Sequence, residues 1–328
     1  MMYIESKKSN MELIKGDQIM IEINNLVKRY DKKLAVDHLN LTIREGSIFG
    51  LLGPNGAGKT TTIKSIMGLM NIDSGDIKIF GKNMALESQL IKKDLGIVPQ
   101  EIALFEELSC KENVDFFGRL YGLRGIKLKK ATLEALEFVG LQDNVKTISK
   151  TMSGGMQRRL NIACAIVHKP KLVIMDEPTV GIDPQSRNHI LESVKKLNEQ
   201  GSTIVYTTHY MEEVEAICNE ISIMDHGRVI AQGSKEELKD MISEEQKQII
   251  DIDKVSFSVL DDIKKVSGVI DGHLQEKTLT VLSHRDSENM NDIIKCIINR
   301  GGVINNLKIE QPSLEDVFLT LTGRTLRD

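Results

Sequence analysis

The sequence predicts an α/β core built on a mainly parallel sheet, followed by a smaller α+β domain. Three continuous apolar runs, at 47–52, 171–176 and 202–209, have the composition of parallel strands that are covered on both faces. Apolar residues at helical spacing follow the first two runs, and Gly201 ends the second of these helices. Strands that alternate with helices in this way are typical of a parallel α/β sheet.

Two other patterns predict further parts of the core. In 20–44, residues such as Ile21 and Ile23 alternate with polar residues, which predicts half-buried strands of an antiparallel sheet. In 101–153, apolar residues recur at helical spacing without a clear strand, which predicts an α-helical subdomain.

The changes of pattern along the chain predict its domain organisation. The last helix has Ser313 as its N-cap, Asp316 three residues later and Gly323 after its end. The expected segments are a flexible polar leader (1–18), the α/β core (19–235), a charged linker or bridging helix (236–250) and the small α+β domain (251–328).

The composition restricts the classes of function. The formal charge is 43 − 47 = −4 and no long basic block occurs, so a nucleic-acid surface has little support. No apolar run approaches the roughly 18 residues that span a bilayer, and the first ten residues lack the apolar core of a signal peptide. We therefore expect contact with a membrane only through a partner.

We also expect reduced thiols in a cytosolic protein, because no CxxC pair occurs among Cys110, Cys164, Cys218 and Cys296.

A phosphate-binding loop follows the first buried strand. The residues from Gly53 to Thr60 fit the pattern G-x-x-x-x-G-K-[ST], with an amphipathic helix after them. Glycines let the backbone wrap a triphosphate closely, Lys59 supplies positive charge to the outer phosphates, and the Thr60 hydroxyl can ligate Mg²⁺. The predicted loop contains Gly53, Pro54, Asn55, Gly56, Ala57, Gly58, Lys59 and Thr60.

Titratable side chains end the other two buried strands. Asp176 and Glu177 end the second strand, and adjacent side chains of a strand diverge. One carboxylate can therefore serve Mg²⁺ while the other faces a water near the γ-phosphate. His209 follows the third strand, at the sheet edge where ligands of open α/β sheets bind. The other histidines show no metal-ligand spacing, so we expect no metal beyond nucleotide-bound Mg²⁺.

A second candidate anion site begins another helix. Ser153 and two glycines precede a run with helical periodicity that ends at Pro170. Free N–H groups and the helix dipole favour an anion at such an N-terminus. A chain with one phosphate-binding loop therefore contains two candidate phosphate sites.

The order of these motifs resembles the nucleotide-binding domain of ABC transporters over roughly residues 19–235. The matching stretches are "GPNGAGKTT", "VPQ", "MSGGMQRR", "LVIMDEP", "VGIDP" and "TTH". The resemblance implies that Gly53 through Thr61 hold the phosphates of ATP. It also implies that Tyr30 stacks on adenine, that Gln100 joins the Mg²⁺ shell and senses the membrane partner, and that Asp176 orders Mg²⁺. The resemblance further implies that Glu177 polarises the attacking water and that His209 contacts the γ-phosphate. It places Asp183 in a loop at a dimer interface.

The same resemblance explains the second anion site. In this family two such domains face each other head to tail and close on two MgATP, so one subunit's signature contacts the other subunit's γ-phosphate. The matching signature residues are Ser153, Gly154, Gly155, Met156 and Gln157. Met152 stands where the family usually has leucine, which is similar in volume and polarity.

The C-terminal sequence indicates a subgroup. The ending "PSLEDVFLTLTGRTLRD" resembles the ATP-binding subunits of bacterial ABC-2-type exporters, the daunorubicin-resistance and multidrug efflux group. This implies an ATPase that drives export by a separate transmembrane permease, of drugs, antibiotics or lipid-like compounds. It also implies a homodimer or a pair with a paralogous ATPase subunit, a regulatory or dimerising C-terminal domain, and a cytoplasmic position on the inner face of the membrane.

Two other classes of function remain open from the sequence. A soluble ABC ATPase acting on ribosomes or DNA would usually have two P-loops or coiled-coil arms, and this chain has one P-loop and no heptad run. A non-hydrolysing nucleotide-binding module would be expected to lack Lys59, Glu177 or His209, and all three are present. For the transporter subunit, we expect the surface after Gln100, residues 101–122, to dock the permease.

Overall fold

The computed structural model describes residues 18–242, 245–254, 258–284, 287–310 and 312–323. The expected leader lies outside these ranges except for Gln18. The chain divides into two compact units between Gln232 and Gly233.

Strands and helices alternate through both units. The strands are β1 (Ile19–Tyr30), β2 (Lys33–Arg44), β3 (Ile48–Leu52), β4 (Ser74–Ile79), β5 (Lys82–Asn83), β6 (Leu95–Val98), β7 (Leu172–Asp176), β8 (Thr203–Thr207), β9 (Glu220–Asp225), β10 (Arg228–Gly233), β11 (Glu245–Asp253), β12 (Val269–Gln275), β13 (Thr278–His284) and β14 (Val303–Glu310). The α-helices are α1 (Lys59–Ile66), α2 (Met84–Lys92), α3 (Cys110–Leu120), α4 (Gly125–Phe138), α5 (Gly154–Ile166), α6 (Pro184–Glu199), α7 (Met211–Ile217), α8 (Lys235–Asp240), α9 (Val259–Ile263), α10 (Met290–Asn299) and α11 (Leu314–Thr322).

The first unit is built on a six-stranded sheet in the order β10-β9-β3-β8-β7-β6. The three apolar runs of the sequence form β3, β7 and β8, in which every residue is buried. β8 pairs in parallel with both β3 and β7, which confirms the predicted parallel core. Because these strands run the same way, their carboxyl ends lie along one edge of the sheet.

A four-stranded antiparallel sheet and a helical subdomain complete this unit. The sheet has the order β2-β1-β4-β5, and its buried Ile21 and Ile23 pair with Ile43 and Leu41, as the alternating pattern predicts. The subdomain contains α3 and α4, and α5 packs against both helices. A capping box between Ser109 and Glu112 begins α3.

The second unit is α+β, with four antiparallel strands in the order β12-β13-β11-β14. The sequence predicted only two or three strands, because the exposed edge strand β14 lacks a regular apolar alternation. Residues 236–250, expected as a linker or bridging helix, contain most of α8 and the first part of β11. Ser234 begins α8 with a capping box to Glu237, a signal that the charged composition obscured. The predicted caps of α11, Ser313 and left-handed Gly323, are present.

Within the described ranges, no helix is long and apolar enough to cross a membrane.

Candidate active site

A cleft of about 710 Å³ lies at the carboxyl ends of β3, β7 and β8. The loop after β3, the residue after β7 and the residues after β8 all contribute to its walls. It is lined by Tyr30, Lys33, Ala35, Asn55, Gly56, Ala57, Gly58, Lys59, Thr60, Thr61, Gln100, Glu177, His209 and Tyr210. Most of the predicted nucleotide-site residues are therefore in one cleft, although Gly53, Pro54 and Asp176 do not line it.

The loop between β3 and α1 depends on glycine at two positions. Gly58 has a φ of +106°, and a Cβ added there would lie 2.5 Å from the main-chain oxygen of Ala35. Gly53 is equally close to the main-chain oxygen of Met224. Since no L side chain fits either position without displacing backbone, these glycines fix the loop that ends at the N-terminus of α1. The first residues of that helix, Lys59 to Thr61, line the cleft, and a helix N-terminus is a ready anion site.

Lys59 begins α1 and is almost fully buried. Its ammonium donates hydrogen bonds to the main-chain oxygens of Gly53, at 2.6 Å, and Pro54, at 3.1 Å. Burial lowers the pKa of Lys59, and the negative charges of Glu177 and Asp176 oppose this shift. The lysine thus places a positive charge between the loop and the carboxylates of β7, where outer phosphates would bind.

Three further polar side chains meet in the wall of the cleft. Gln100 Nε2 donates to Glu177 Oε2 at 3.1 Å. His209 Nδ1 lies 3.6 Å from Glu177 Oε1, and both residues are partly buried. Glu177 is therefore held between an amide and an imidazole, an arrangement that can orient and polarise a water molecule.

The main chain at Glu177 is unusual for a residue with a side chain. Its φ is +47°, in the left-handed region, and its N–H donates to both the oxygen and the Oγ1 of Thr207. The Thr207 hydroxyl in turn donates to Asp176 Oδ1 at 2.6 Å. One buried hydroxyl thus links the main chain of Glu177 to the carboxylate of Asp176. The two adjacent carboxylates lie in different environments, with Asp176 buried and Glu177 in the cleft.

The predicted signature residues do not line the cleft. Ser153 caps α5, where its hydroxyl accepts from the N–H of Met156, and both Ser153 and Gly154 are exposed. Gly155 is buried instead, and a Cβ added to it would lie 2.6 Å from the Cβ of Ser186. Gln157 donates to the main-chain oxygen of Ser149.

Asp183 lies beside this signature. It caps α6 by accepting from the N–H of Ser186, and this backbone hydrogen bond lowers the pKa of its carboxyl. An added Cβ on Gly155 would lie 3.2 Å from Asp183 Oδ2. The N-termini of α5 and α6 therefore approach each other closely.

The structure adds residues that sequence reasoning missed. Lys33 and Ala35 line the cleft, Thr207 joins the two acids, and Arg158 donates to the main-chain oxygens of Pro99 and Gln100. Lys33, Thr207 and Arg158 carry no local signal beyond a polar residue within a strand or helix, and Ala35 carries none. Their partners are up to 59 positions away along the chain.

Comparisons with known proteins agree with this architecture. The family profile "ABC transporter" matches residues 36–180, and "ATP-binding protein DrrA1-3-like, C-terminal domain" matches residues 233–322. Linearmycin resistance ATP-binding protein LnrL of Bacillus subtilis (strain 168) is 44% identical over 94% of this chain and 100% of its own length. The chain belongs to the ABC transporter family. As a member of this family it is an ATP-binding subunit that hydrolyses ATP.

Other ABC transporter relatives cover nearly the whole chain. Nod factor export ATP-binding protein I of Sinorhizobium fredii (strain NBRC 101917 / NGR234) is 36% identical over 94% of this chain and 88% of its own. Daunorubicin/doxorubicin resistance ATP-binding protein DrrA of Streptomyces peucetius is 33% identical over 94% of each chain.

Solved structures of ABC transporter subunits share the fold over about two thirds of this chain. An ATP-binding subunit of an ABC transporter has a TM-score of 0.63 and 29% identity, over 68% of this chain and 92% of its own. A dimeric post-hydrolysis state of the ATP-binding cassette MJ0796, bound to ADP and Pi, has a TM-score of 0.61 and 28% identity, over 66% of this chain and 98% of its own.

Proposed function

We propose that this ABC ATPase powers export by a separate transmembrane permease of the ABC-2 type. The observation that carries the ATPase role is the meeting of Lys59, Gln100, Glu177 and His209 at the phosphate-binding loop. Export is supported by relatives whose names specify Nod factor export and resistance to linearmycin or daunorubicin. The proposed cargo is accordingly a drug, an antibiotic or a lipid-like compound. These names do not favour the ribosome-acting, DNA-acting or non-hydrolysing alternatives.

The site's donors fit a magnesium nucleotide. Thr60, Gln100 and Asp176 offer a hydroxyl, an amide oxygen and a carboxylate, which are the oxygen ligands that Mg²⁺ prefers, and these residues would hold the ion. Bound Mg²⁺ supplies charge neutralisation for the outer phosphates.

The chain's own groups then perform the hydrolysis. The main chain of Gly53–Thr61 and the Lys59 ammonium bind the phosphates, and the exposed Tyr30 ring at the cleft stacks on adenine. Glu177 polarises the attacking water, while His209 contacts the γ-phosphate. Because Gln100 donates a hydrogen bond to Glu177, a movement of the segment that contains Gln100 would change the position of the Glu177 carboxylate.

A second subunit completes each site in this proposal. Ser153 and Gly154 are exposed at the N-terminus of α5, an arrangement that suits a phosphate from outside the chain. We assign Ser153, Gly154, Gly155, Met156 and Gln157 to the ATP of the facing subunit, and Asp183 to the same interface. The facing subunit is a second copy or a paralogous ATPase, and the solved dimer of a related cassette supports this arrangement.

The permease docks on the helical subdomain next to Gln100. Ile102, Phe105, Phe116 and Leu120 expose between 39% and 66% of their surface there, and the rings of Phe105 and Phe116 are in edge contact at 4.6 Å. A cluster of exposed apolar side chains is characteristic of an interaction surface. The chain would thus lie on the cytoplasmic face of the membrane, bound through its partner. The C-terminal unit, which begins at Gly233, would regulate or dimerise the ATPase.

The variant Glu177→Gln tests the catalytic and dimer assignments together. The amide keeps the shape of the side chain but removes the charge that polarises water and repels the γ-phosphate, so hydrolysis should fall steeply and the ATP-bound dimer should persist. Light scattering should show monomer without nucleotide and dimer with MgATP. Ser153→Arg should cancel the shift by crowding the second anion site.

An active Glu177→Gln enzyme would remove the catalytic assignment. A variant that stays monomeric at saturating MgATP, also when the permease is present, would remove the assignment of the signature to a facing subunit. Purification from detergent-solubilised membranes should recover a permease with the wild-type chain, and recovery of ribosomes or DNA instead would overturn the transporter proposal.

A further inference from the structure

A buried carboxylate lies where the two catalytic segments of the cleft meet. Glu213, on α7, is only 2% exposed, and its Oε2 accepts hydrogen bonds from three hydroxyl groups. The donors are Thr179 at 2.9 Å, Tyr206 at 2.9 Å and Thr208 at 2.8 Å. Glu213 does not line the cleft, so it acts on the chemistry only through these partners.

Two of the three donors adjoin the proposed catalytic residues. Thr179 is two residues after Glu177, and Thr208 immediately precedes His209. The Thr208 hydroxyl also accepts from the N–H of Tyr210 at 3.0 Å, so it fixes the main chain on both sides of His209. Both threonines are buried, outside β7 and β8, where no strand ladder holds the chain. Their hydrogen bonds to Glu213 therefore replace the ladder as the restraint on these two segments.

The third donor differs in one respect. Tyr206 is fully buried within β8, whose main chain is paired on both sides by β3 and β7. Its hydrogen bond to Glu213 has the same length as that of Thr179, but it adjoins neither catalytic residue. The chain thus provides its own comparison between a hydroxyl that holds a catalytic segment and one that does not.

The other oxygen of Glu213 connects the cluster to α6. Oε1 lies 3.5 Å from Nε of Arg187, at ion-pair distance without hydrogen-bond geometry. Arg187 is four residues after Asp183, the N-cap of α6, and its guanidinium lies 4.5 Å from the centre of the Tyr210 ring in the cleft wall. A charged group reaches the cluster from the helix that begins at the proposed dimer interface.

We propose that Glu213 is a positioning residue that holds the segments of Glu177 and His209 in one arrangement and connects both to α6. A buried ion pair is weak support for stability, and an apolar side chain would fill the same space at lower cost in desolvation. The carboxylate is instead the one acceptor shared by three donors from two segments, Thr179 after β7 and Tyr206 and Thr208 in and just after β8. The inference rests on the proposed roles of Glu177 and His209.

The three donors provide the test in the full-length chain. Thr179→Val and Thr208→Val each remove one hydroxyl with little change of shape, and we expect kcat for ATP hydrolysis to fall about tenfold in each. Nucleotide affinity should be unchanged, because neither threonine lines the cleft. Tyr206→Phe, which removes an equal hydrogen bond to the same oxygen, should lower the melting temperature and leave kcat within about twofold of wild type. Thr179→Ser and Thr208→Ser keep the hydroxyl group, so their kcat should equal that of the wild type.

A comparison of neighbouring glutamates tests the acceptor. Glu213→Gln should reduce kcat like the threonine variants, whereas Glu212→Gln, at an exposed position on the same helix, should not. Equal losses of kcat in Tyr206→Phe and the two valine variants would overturn the proposal, as would valine variants that are as active as wild type.

Amide hydrogen exchange gives a readout that does not depend on turnover. We expect Thr208→Val to raise exchange around His209 and Thr179→Val to raise it after Glu177, with no such change in Tyr206→Phe. Unchanged exchange in both valine variants would overturn the proposal even if the wild type hydrolysed no ATP. An inactive wild type with its permease, by contrast, would refute the proposed function.

Discussion

The Arg158 guanidinium donates a hydrogen bond to the main-chain oxygen of Gln100 at 2.5 Å. It also donates to the neighbouring Pro99 oxygen at 2.7 Å, and the arginine is 4% exposed. Arg158 belongs to α5, whose N-terminus is the proposed contact with the facing subunit's ATP. A single side chain therefore links that helix to the segment whose amide contacts Glu177.

We predict that Arg158→Gln lowers kcat for ATP hydrolysis by about tenfold, because the Gln100 segment loses two charge-assisted hydrogen bonds. Steady-state kinetics on the purified chain would measure this. Arg159→Gln is the matched control, since Arg159 lies on the same helix and also donates to two main-chain oxygens, those of Val139 and Gly140. The prediction is wrong if the two variants lose the same activity.

Lys59→Ala should abolish ATP hydrolysis and most nucleotide binding. The ammonium is the nearest positive charge to the loop carbonyls of Gly53 and Pro54, and no other lysine on α1 lines the cleft. Binding of a fluorescent ATP analogue and phosphate release would both be measured. Retention of wild-type turnover by the purified variant would remove the assignment of the loop.

The paired glycines of the signature should respond differently to alanine. An added Cβ at Gly155 would overlap Ser186, and we expect a loss of about 1–3 kcal/mol in the free energy of unfolding from overpacking. Gly154 has open space around it, so Gly154→Ala should be neutral or slightly stabilising in the helix. Urea unfolding of both variants would check this, and Ser186→Gly should restore part of the stability of Gly155→Ala. Equal stabilities of the two alanine variants would contradict the close contact.

A chain that ends at Ser234 should remain a folded, ATP-binding core. The C-terminal unit has its own cluster of buried side chains, including Ile250, Leu279 and Ile293, and the first unit has a separate one that includes Ile21, Phe49 and Ile174. Circular dichroism and ATP binding would be measured. An insoluble or unfolded product would show that the domain boundary is misplaced. Loss of transport with ATP binding retained would support a regulatory or dimerising role.

The sequence predicted those parts of the fold that have a strong local pattern. The fully buried β3, β7 and β8 are continuous apolar runs, and the phosphate-binding loop is a contiguous motif. The strand β14 was missed because it is an edge strand with much of its surface exposed, so burial imposes little pattern on it.

The sequence predicted which side chains meet in the site, but it did not predict the buried residues that hold those side chains in position. Lys59, Glu177 and His209 follow strand ends that the sequence located, so their convergence follows from the parallel sheet. Thr207, Arg158 and Glu213 bind partners on other elements, and these pairings cannot be deduced from neighbouring residues. Such supporting groups become visible only when the tertiary contacts are known.

The tight packing of Gly155 against α6 determines which signature residues can be replaced after the site has lost its function. A duplicated copy that no longer closed on ATP would still be selected to retain Gly155, since a side chain there would overlap Ser186 and lower the stability of the fold. Ser153 would be retained in part for stability as well, because it caps α5. Gly154 has neither constraint, so in a degenerate paralogue its replacement would be an early sign that the second phosphate site had lost its function.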